Sequence, residues 1–220
     1  MNLVLIGPPG AGKGTHATLL SEKYSLVPLA AGDILRRHIR DETELGKLAK
    51  SVIEKGELVS DDLVNSIMFE EIKHADQKGV LLDGYPRTMG QAEALDDYLR
   101  KTQGKIDAVL NFETSEDMII ARLSGRRICA KCGANYHLKN PLLQPKKDGQ
   151  CDKCGTELTQ RKDDQPETIR HRLETYRNET EPLLGYYRKQ NILHDLHGDW
   201  DVLEFQEEIK VLFEKLHLTA

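Results

Sequence analysis

A glycine-rich loop with one lysine lies near the start of the chain, and its residue types suit the binding of phosphate. The loop spans Gly7 to Thr15 and reads GPPGAGKGT. Glycines let successive backbone N–H groups turn toward an anion, the N-terminus of a following helix adds its dipole, and the lysine reaches the outer phosphates. The apolar run Leu3–Ile6 precedes the loop and a helical pattern follows it. We therefore predict a phosphate-binding loop and not a plain strand-to-helix turn.

A carboxylate at the end of a later apolar run is the candidate for contact with Mg²⁺. The position after Lys13, where a hydroxyl ligand to the ion is usual, is Gly14, and Thr15 follows it. Asp83 closes the apolar run at 80–82. Ligands of parallel sheets bind beyond the carboxyl ends of the strands, so this carboxylate would face the nucleotide. We predict a water-mediated contact with Mg²⁺; the alternative is a turn formed by Asp83 and Gly84.

Four cysteines form two closely spaced pairs in the middle of the chain. They are Cys129, Cys132, Cys151 and Cys154, and a glycine follows each pair. This spacing is typical of a zinc site, and a closed shell of four thiolates is structural because no open position remains for water. Iron or cobalt could replace zinc, and four free thiols are the alternative. Cysteines used in this way indicate a reducing cytoplasm.

Short apolar runs alternate with helical patterns along most of the chain, which predicts an α/β fold with a parallel sheet covered on both faces. We expect helical stretches from 33 to 73 to break at Gly46 and Gly56. The expected strands span 3–6, 27–30, 80–82, 106–112 and 201–203, and other expected helices span 13–23, 88–101, 115–124 and 206–216.

A segment of different character interrupts this alternation. Residues 126–161 have little helical periodicity and are rich in Gly, Pro, Asn, Lys and Cys, so they form an inserted module. We expect His137 on the surface of this module. After it, Asp164 as an acidic N-cap, Pro166 and Glu167 predict the start of a helix that runs to about Leu193.

Composition sets limits on the class of protein. The chain has 220 residues, with 31 Lys and Arg against 36 Asp and Glu, which gives a formal net charge of −5. A chain of this size can bury roughly 70% of its surface. No apolar run approaches the ~18 residues of a membrane span, and the first residues lack the basic start of a signal peptide. The net acidity argues against general nucleic-acid binding.

Several motifs in order resemble those of the adenylate kinases, in particular the type with a long, zinc-binding lid. They are GPPGAGKGT at 7–15, AGDILR at 31–36, DGYPRT at 83–88 followed by Gln91-Ala-Glu, RLSGRR at 122–127 and RKDDQPETIRHR at 161–172. The resemblance covers nearly the whole chain. It implies a phosphate-loop fold with a five-stranded parallel sheet and helices on both faces, a helical AMP-binding segment, and an inserted zinc-bearing lid.

The resemblance also implies boundaries and a reaction. The core would comprise 1–29, 60–125 and 164–220, the monophosphate-binding segment 30–59, and the lid 126–163. The reaction would be ATP + AMP ⇌ 2 ADP with Mg²⁺, which maintains adenine nucleotide balance. The partners would be ATP, AMP and ADP, with no nucleic acid and no membrane, for a monomer in the cytoplasm.

Site residues follow from the same resemblance. Those expected to bind ATP are Gly10, Ala11, Gly12, Lys13, Gly14, Thr15, Arg126, Tyr136, which would stack near the adenine, and the backbone of Trp200. Those expected to bind AMP are Ala31, Arg36, Glu57, Leu58, Val59, Gly84, Tyr85, Pro86, Arg87, Gln91, Arg161 and Arg172.

Arginines and one lysine dominate the expected catalytic set, because phosphoryl transfer needs alignment and neutralisation of charge more than covalent chemistry. The planar guanidinium binds phosphate oxygens in pairs. The expected catalytic residues are Lys13, Asp83, Arg87, Arg122, Arg126, Arg161 and Arg172, with Asp163 and Asp164 orienting the arginines. Arg100, Arg177 and Arg188 are expected to be ordinary surface residues.

Two positions leave alternatives open. The segment from Thr88 to Gln91 fits a capping box, in which the glutamine only satisfies a helix start, whereas the resemblance has its carboxamide bind the adenine edge; we favour base recognition. Ala31 stands where adenylate kinases usually carry Thr, as it does in the pyrimidine monophosphate kinases. Those kinases lack a long cysteine-bearing lid, so we keep AMP as the expected substrate.

Two other classes of protein remain as alternatives. A GTPase or ATPase switch would share the phosphate loop, but no Asn in the chain is followed by Lys, so the guanine-binding motif Asn-Lys-x-Asp is absent. A zinc-ribbon nucleic-acid-binding module fused to an ATPase would use the lysines at 131, 139, 146, 147 and 153. Few aromatic residues accompany them for base stacking.

Overall fold

The structure, a computed structural model, describes residues 1–75, 79–197 and 202–218. Its strands are β1 Leu3–Ile6, β2 Val27–Ala30, β3 Val80–Asp83, β4 Ala108–Glu113, β5 Arg126–Cys129, β6 Asn135–His137, β7 Leu158–Thr159 and β8 Leu193–His197. Its helices are α1 Lys13–Tyr24, α2 Ala31–Arg40, α3 Glu44–Lys55, α4 Asp61–His74, α5 Met89–Lys101, α6 Glu116–Gly125, α7 Pro166–Thr175, α8 Pro182–Lys189 and α9 Val202–Lys215.

The main sheet has five parallel strands in the order β2-β3-β1-β4-β8. β1 lies at its centre and is buried over all its residues, as its uninterrupted apolar run LVLI requires of a strand covered on both faces. The register places Leu5 of β1 beside Asp83 of β3. The prediction of an α/β fold with a five-stranded parallel sheet is confirmed.

Alternate side chains of β1 point into two separate cores. Leu3 and Leu5 pack with residues of α1 and α9 on one face, whereas Val4 and Ile6 pack with residues of α2 to α5 and α8 on the other. The period of two in a strand produces this division. Helices on both faces therefore fix the carboxyl end of β1, where the glycine-rich loop begins.

A smaller antiparallel sheet, in the order β6-β5-β7, forms the inserted module. Each cysteine pair lies in a tight turn that ends in a glycine of positive φ, at +74° for Gly133 and +71° for Gly155. In both turns the glycine N–H donates to the carbonyl of the first cysteine, at 2.9 Å and 2.8 Å. The internal repeat of the sequence is therefore a repeated backbone geometry.

The prediction that Gly46 breaks the helical stretch after Asp33 is wrong. Gly46 lies inside α3, and the break falls at 41–43, where the Thr43 hydroxyl caps the helix by accepting from Gly46 N. A Cβ at Gly46 would collide with the His38 carbonyl oxygen, so glycine is needed for close packing of α2 on α3. Gly56 does end α3, with φ at +82°.

The prediction for 164–203 is wrong in three respects. Gln165 and not Asp164 precedes α7, and Asp164 instead lies in a 3₁₀ turn, Lys162–Asp164. A π-helical turn, Tyr176–Thr180, separates α7 from α8, which ends at Lys189 and not at Leu193. The last strand is β8, and residues 202 and 203 begin α9; Asp201 lies outside the described residues. Within the described ranges, no helix is long and apolar enough to cross a membrane.

Candidate active site

One cleft of about 690 Å³ lies at the carboxyl ends of the central strands. Its walls come from the glycine-rich loop, the start of α2, the segment 56–59, the segment after β3, the end of α6, the lid and α7. The cleft therefore has the position expected for a ligand site in an open parallel sheet.

The conformation of the glycine-rich loop depends on its glycines, and the loop's own carbonyls hold its lysine. Gly10 and Gly12 have φ of +84° and +95°, and a Cβ on Gly10 would stand 2.9 Å from Leu123 Cγ. Lys13 Nζ donates to the carbonyls of Gly7 and Pro8, at 2.7 Å and 2.9 Å. Burial lowers the pKa of Lys13 to about 8, although nearby Asp83 opposes that shift. An arriving phosphate would offer this desolvated ammonium a negatively charged partner.

Asp83 ends β3 directly opposite the loop. A Cβ on Gly14 would lie 3.7 Å from Asp83 Oδ2, so the glycine leaves space between the loop and the carboxylate. Burial raises the pKa of Asp83, and the charge of Lys13 opposes this. Thr15 also lines the cleft and is exposed to it. A carboxylate and a hydroxyl beside a phosphate loop are oxygen donors of the kind that Mg²⁺ prefers.

Every arginine in the expected catalytic and binding sets lines the cleft: Arg36, Arg87, Arg122, Arg126, Arg161 and Arg172. Burial, together with neighbouring arginines, lowers the pKa of Arg87 to about 10 and that of Arg161 to about 9. The guanidiniums thus repel one another in a desolvated space. A polyanion in the cleft would relieve that repulsion.

Two aspartates hold part of this arginine cluster in place. Asp164 is 1% exposed and accepts from Arg126 Nε at 2.8 Å, from Arg126 Nη2 at 2.5 Å and from Arg172 Nη1 at 3.2 Å. Asp163 Oδ2 lies 3.2 Å from Arg172 Nη1. The Asp164 carboxylate therefore joins the first strand of the lid to α7.

In contrast, Arg100, Arg177 and Arg188 have side chains more than half exposed, as predicted for surface residues.

The second end of the cleft carries the residues expected to bind a monophosphate. Arg87 Nε donates to the Gly84 carbonyl at 2.8 Å, and Arg36 pairs with Asp33 at 2.6 Å. Ala31 is 4% exposed at the first position of α2. The remaining expected residues that line this end are Glu57, Leu58, Val59, Gly84, Pro86 and Gln91.

Two expected site residues have side chains that do not reach the cleft. Tyr85 is fully buried and its hydroxyl donates to Asn65 Oδ1 at 2.7 Å, so only its backbone is available to a ligand. The Ala11 methyl group is buried in the core beneath the loop. Trp200 lies outside the described residues.

The contacts of Gln91 fit helix capping, and its position also fits recognition of a base. Its backbone N donates to Thr88 Oγ1 at 3.1 Å, and its side-chain Oε1 accepts from Arg87 N at 2.8 Å. A standard capping box would use the Thr88 N–H instead. The side chain is also at the cleft wall, so capping and base recognition do not exclude each other.

The four cysteines come together as the sequence predicts. Their Sγ atoms all lie within 4.8 Å of one another, with Cys129 and Cys154 3.4 Å apart and Cys132 and Cys151 3.5 Å apart. Four sulfurs at about 2.3 Å around a zinc ion would be separated by about 3.8 Å, so the cluster fits such an ion. None of the four cysteines lines the cleft; Cys129, Cys151 and Cys154 lie in the small core of the lid, and Cys132 is exposed.

Tyr136 belongs to both the cleft and this cysteine cluster. It is 7% exposed, and its hydroxyl accepts from Asp152 N at 2.7 Å and lies 3.5 Å from Cys151 Sγ. The residue lines the cleft on β6 but is not a freely exposed stacking surface. Its role beside an adenine therefore remains a prediction, whereas its contact with the cluster was not expected.

His137, expected on the lid surface, is instead partly buried at the junction of lid and core. Its Nε2 lies 3.1 Å from the Arg122 carbonyl, and its Nδ1 accepts from Lys139 N and Asn140 N. These partners fix the tautomer with the proton on Nε2. Burial lowers the pKa of His137.

Sequence reasoning missed two other side chains near the site. His16 lines the cleft, and its ring contacts those of Phe112 and Phe205 at centroid distances of 5.2 Å and 3.9 Å. Its place one residue after Thr15 was the available signal. Thr180, in the π-helical turn, donates to the Arg87 carbonyl at 2.9 Å, and no sequence pattern marks it.

A glycine-rich loop with one lysine on a parallel α/β sheet, in a cleft that a cluster of arginines also lines, is the arrangement of the phosphotransferases that act on nucleoside monophosphates. Comparisons with known proteins specify the family. The family model for adenylate kinase matches residues 5–192. The chain belongs to the adenylate kinase family, and it is a nucleoside monophosphate kinase.

Similar proteins match over almost their whole length. The adenylate kinase of Archaeoglobus fulgidus is 49% identical, over 98% of this chain and 99% of that protein. The adenylate kinase of Clostridium tetani is 48% identical over 95% and 96%, respectively. The adenylate kinase of Methanocella arvoryzae is 47% identical over 98% and 100%.

Proposed function

We propose that this chain catalyses ATP + AMP ⇌ 2 ADP with Mg²⁺, as a monomer that balances adenine nucleotides in the cytoplasm. The observation that supports this most is the cleft with a phosphate loop at one end, Arg36 and Arg87 at the other, and arginines between them. Two phosphate groups can meet there in line, with their charge neutralised at the point of transfer.

Each end of the cleft would hold one nucleotide. ATP would be bound by the backbone of the loop Gly10–Thr15, by Lys13, and by Arg122 and Arg126. AMP would be bound through its phosphate by Arg36 and Arg87, and through its base by Gln91 and the segment 57–59. Arg161, which lies 3.6 Å from Asp33, and Arg172 would reach the transferring group.

The reaction needs no general base among these residues. An oxygen of the AMP phosphate attacks the γ-phosphorus of ATP, and the bond from that phosphorus to the β,γ-bridging oxygen breaks. ADP leaves from one side and ADP forms on the other, so no proton has to be removed from the nucleophile. The protein's contribution is alignment, exclusion of water and stabilisation of charge.

Mg²⁺ would be held near Asp83, whose Oδ2 borders the space left by Gly14, and Thr15, which lines the same cleft. When bound, the ion would neutralise phosphate charge. Zinc would be held by the four cysteines and would stabilise the lid, since a module of this size cannot build a sufficient core. Residues 30–59 and 126–163 would close over the nucleotides, and 1–29, 60–125 and 164–220 would form the core.

Product analysis with ATP and each nucleoside monophosphate in turn tests the proposal. With Mg²⁺ present, AMP should be converted much faster than UMP, CMP or GMP. Ala31 is the observation that favours a pyrimidine monophosphate kinase, because it removes a hydroxyl from a buried position in the cleft wall. A faster reaction with UMP would establish that second function and reject the first.

The proposed absence of nucleic-acid binding has its own test. The lid carries exposed lysines, among them Lys131, Lys139 and Lys146. A gel-shift titration with RNA and DNA should show no complex at physiological salt. The proposed monomeric state is tested separately, by sedimentation, which should give the mass of one chain. A salt-dependent shift would instead support nucleic-acid binding by the lid.

A further inference from the structure

Asp61 contacts two residues of a helix that it does not belong to. It begins α4, and its carboxylate accepts from Thr88 Oγ1 and from Gln91 Nε2, both at 2.8 Å. Thr88 and Gln91 form the first turn of α5 and its cap. Because Gln91 is 2% exposed, its carboxamide has few alternative partners.

These contacts allow only one orientation of the Gln91 amide. The Asp61 carboxylate can only accept hydrogen bonds, and the Arg87 backbone N–H, which lies 2.8 Å from Oε1, can only donate. A rotation of the amide by 180° would place oxygen against carboxylate oxygen and NH₂ against N–H. Both bonds would be lost, one of them to a charged group.

The fixed amide leaves one N–H of Nε2 and one lone pair of Oε1 for a ligand. Adenine offers a matching edge, because its 6-amino group donates and its N1 accepts. Hypoxanthine presents the reverse pattern, since its O6 accepts and its N1 carries a proton. The two bases are otherwise the same size and shape, so only the direction of the amide distinguishes them.

We propose that Asp61 is a positioning residue that fixes the direction of the Gln91 carboxamide and thereby selects 6-amino over 6-oxo purine monophosphates. This inference rests on the proposed function, in which Gln91 recognises the base of AMP. Asp61 itself touches no nucleotide; it acts through Gln91.

The experiment compares AMP with IMP as phosphate acceptors in Asp61→Asn. The new amide at position 61 can rotate so that its NH₂ donates to the Oε1 of a reversed Gln91. Reversal of Gln91 then loses only the hydrogen bond from Arg87 N. The ratio of kcat/KM for AMP to that for IMP should fall by about tenfold or more, because a lost polar match is what rejects the wrong base. The change should appear in the KM of the monophosphate, with the KM of ATP unaltered.

A double variant separates positioning from a purely structural role. In Asp61→Asn with Gln91→Glu, the carboxylate now at position 91 can accept from both the new amide at position 61 and Arg87 N, so the network and the melting temperature should recover. The carboxylate offers no donor to N1 of adenine, and the AMP-to-IMP ratio should therefore stay low. Asp62→Asn, at the adjacent exposed position, is the matched control and should leave both the ratio and the melting temperature unchanged.

Each outcome decides the matter. A parental AMP-to-IMP ratio in folded Asp61→Asn, or recovery of that ratio in the double variant, overturns the inference. If Asp61→Asn does not fold, Asp61→Ser takes its place, because a hydroxyl can also donate to a reversed Gln91 amide; a lowered ratio in that variant supports the inference and a parental ratio rejects it. Failure of the parent protein to phosphorylate AMP would overturn the proposed function instead, so the two failures are distinguishable.

Discussion

Lys162 Nζ lies 2.9 Å from Glu54 Oε1, and this contact joins the 3₁₀ turn after the lid sheet to α3. The two residues are 108 positions apart in the chain. Both side chains are substantially solvated, with exposures of 76% and 39%, so the pair contributes at most about 1 kcal/mol. That amount is small for global stability but sufficient to shift the balance between the open and closed forms that the proposed closure of residues 30–59 and 126–163 implies.

The first prediction concerns this bridge. Glu54→Gln should shift the ratio of open to closed protein by up to about fivefold at low salt, the equivalent of about 1 kcal/mol, without a change in melting temperature. Small-angle X-ray scattering should give a larger radius of gyration at low salt, with weaker dependence on added salt than in the parent. Glu44→Gln is the control, because Glu44 pairs with Lys47 inside α3. Equal radii for parent and Glu54→Gln at low salt would contradict the prediction.

The second prediction concerns Arg87. Lysine at this position keeps the charge but loses the planar fork that binds phosphate oxygens in pairs. Arg87→Lys should lower kcat/KM for AMP about 100-fold, which corresponds to roughly 3 kcal/mol of the barrier, while the fold is kept. Arg100→Lys, on the exposed face of α5, should change nothing. Activity within threefold of the parent would show that Arg87 does not bind the phosphate.

The sequence was sufficient to predict the sheet, the phosphate loop and the cysteine cluster, because each depends on local residue types. A wholly apolar strand such as LVLI is buried on both faces only when helices cover the sheet on both sides. Paired cysteines with a following glycine favour a tight turn by themselves. The arginines were named as a set from the resemblance to the adenylate kinases, and the cleft collects them from separate motifs. Their partners Asp163 and Asp164 lie within one of those motifs.

What the sequence could not predict depends on contacts between distant segments. Asp164 has the residue type of a helix cap, but its carboxylate accepts instead from Arg126 and Arg172, the orienting role that the resemblance, and not the local pattern, implied. Gly46 has the residue type of a breaker, but the close approach of α2 is the reason for its presence. The predicted helix extended to about Leu193, but that residue begins β8, which pairs with β4. Tertiary contacts override local preference in each case.

The third prediction concerns the pH dependence of stability. Burial, with a smaller contribution from Arg122, lowers the pKa of His16 to about 4 from an ordinary value of 6.5. Between these values the unfolded chain binds a proton that the folded chain does not, so stability is lost as the pH falls from 6.5 toward 4. The loss amounts to about 3 kcal/mol at its full extent.

Urea unfolding of the parent and of His16→Gln at pH 7 and about pH 4.5 checks this. The variant should be less stable than the parent at pH 7, because the ring packs against Phe112 and Phe205, and the gap should narrow or reverse at the lower pH. His74→Gln is the control, since His74 is 77% exposed. A gap between parent and His16→Gln that does not depend on pH would show that His16 titrates normally in the folded chain.

The fourth prediction joins the cysteine cluster to the stability of the lid. The four cysteines are not among the residues of the cleft wall, so a zinc ion there would contribute folding energy and not catalysis. Cys151→Ser should lose metal during dialysis and melt at a lower temperature than the parent. At low temperature it should retain substantial kinase activity, because the phosphate loop and the AMP end belong to other segments. Lys153→Ser, between Cys151 and Cys154, should keep the parental metal content and melting temperature.

Tyr136→Phe refines that test at a single hydroxyl. The Tyr136 hydroxyl lies 3.5 Å from Cys151 Sγ, where it can donate to the thiolate. Loss of such a contact around a metal ligand lowers metal affinity by about 10- to 100-fold. Competition with a chromophoric chelator should show this weakening, with a melting temperature between those of the parent and Cys151→Ser. A sample of Cys151→Ser that is fully folded yet inactive at low temperature would overturn the structural role, because only a metal that takes part in catalysis would give that result.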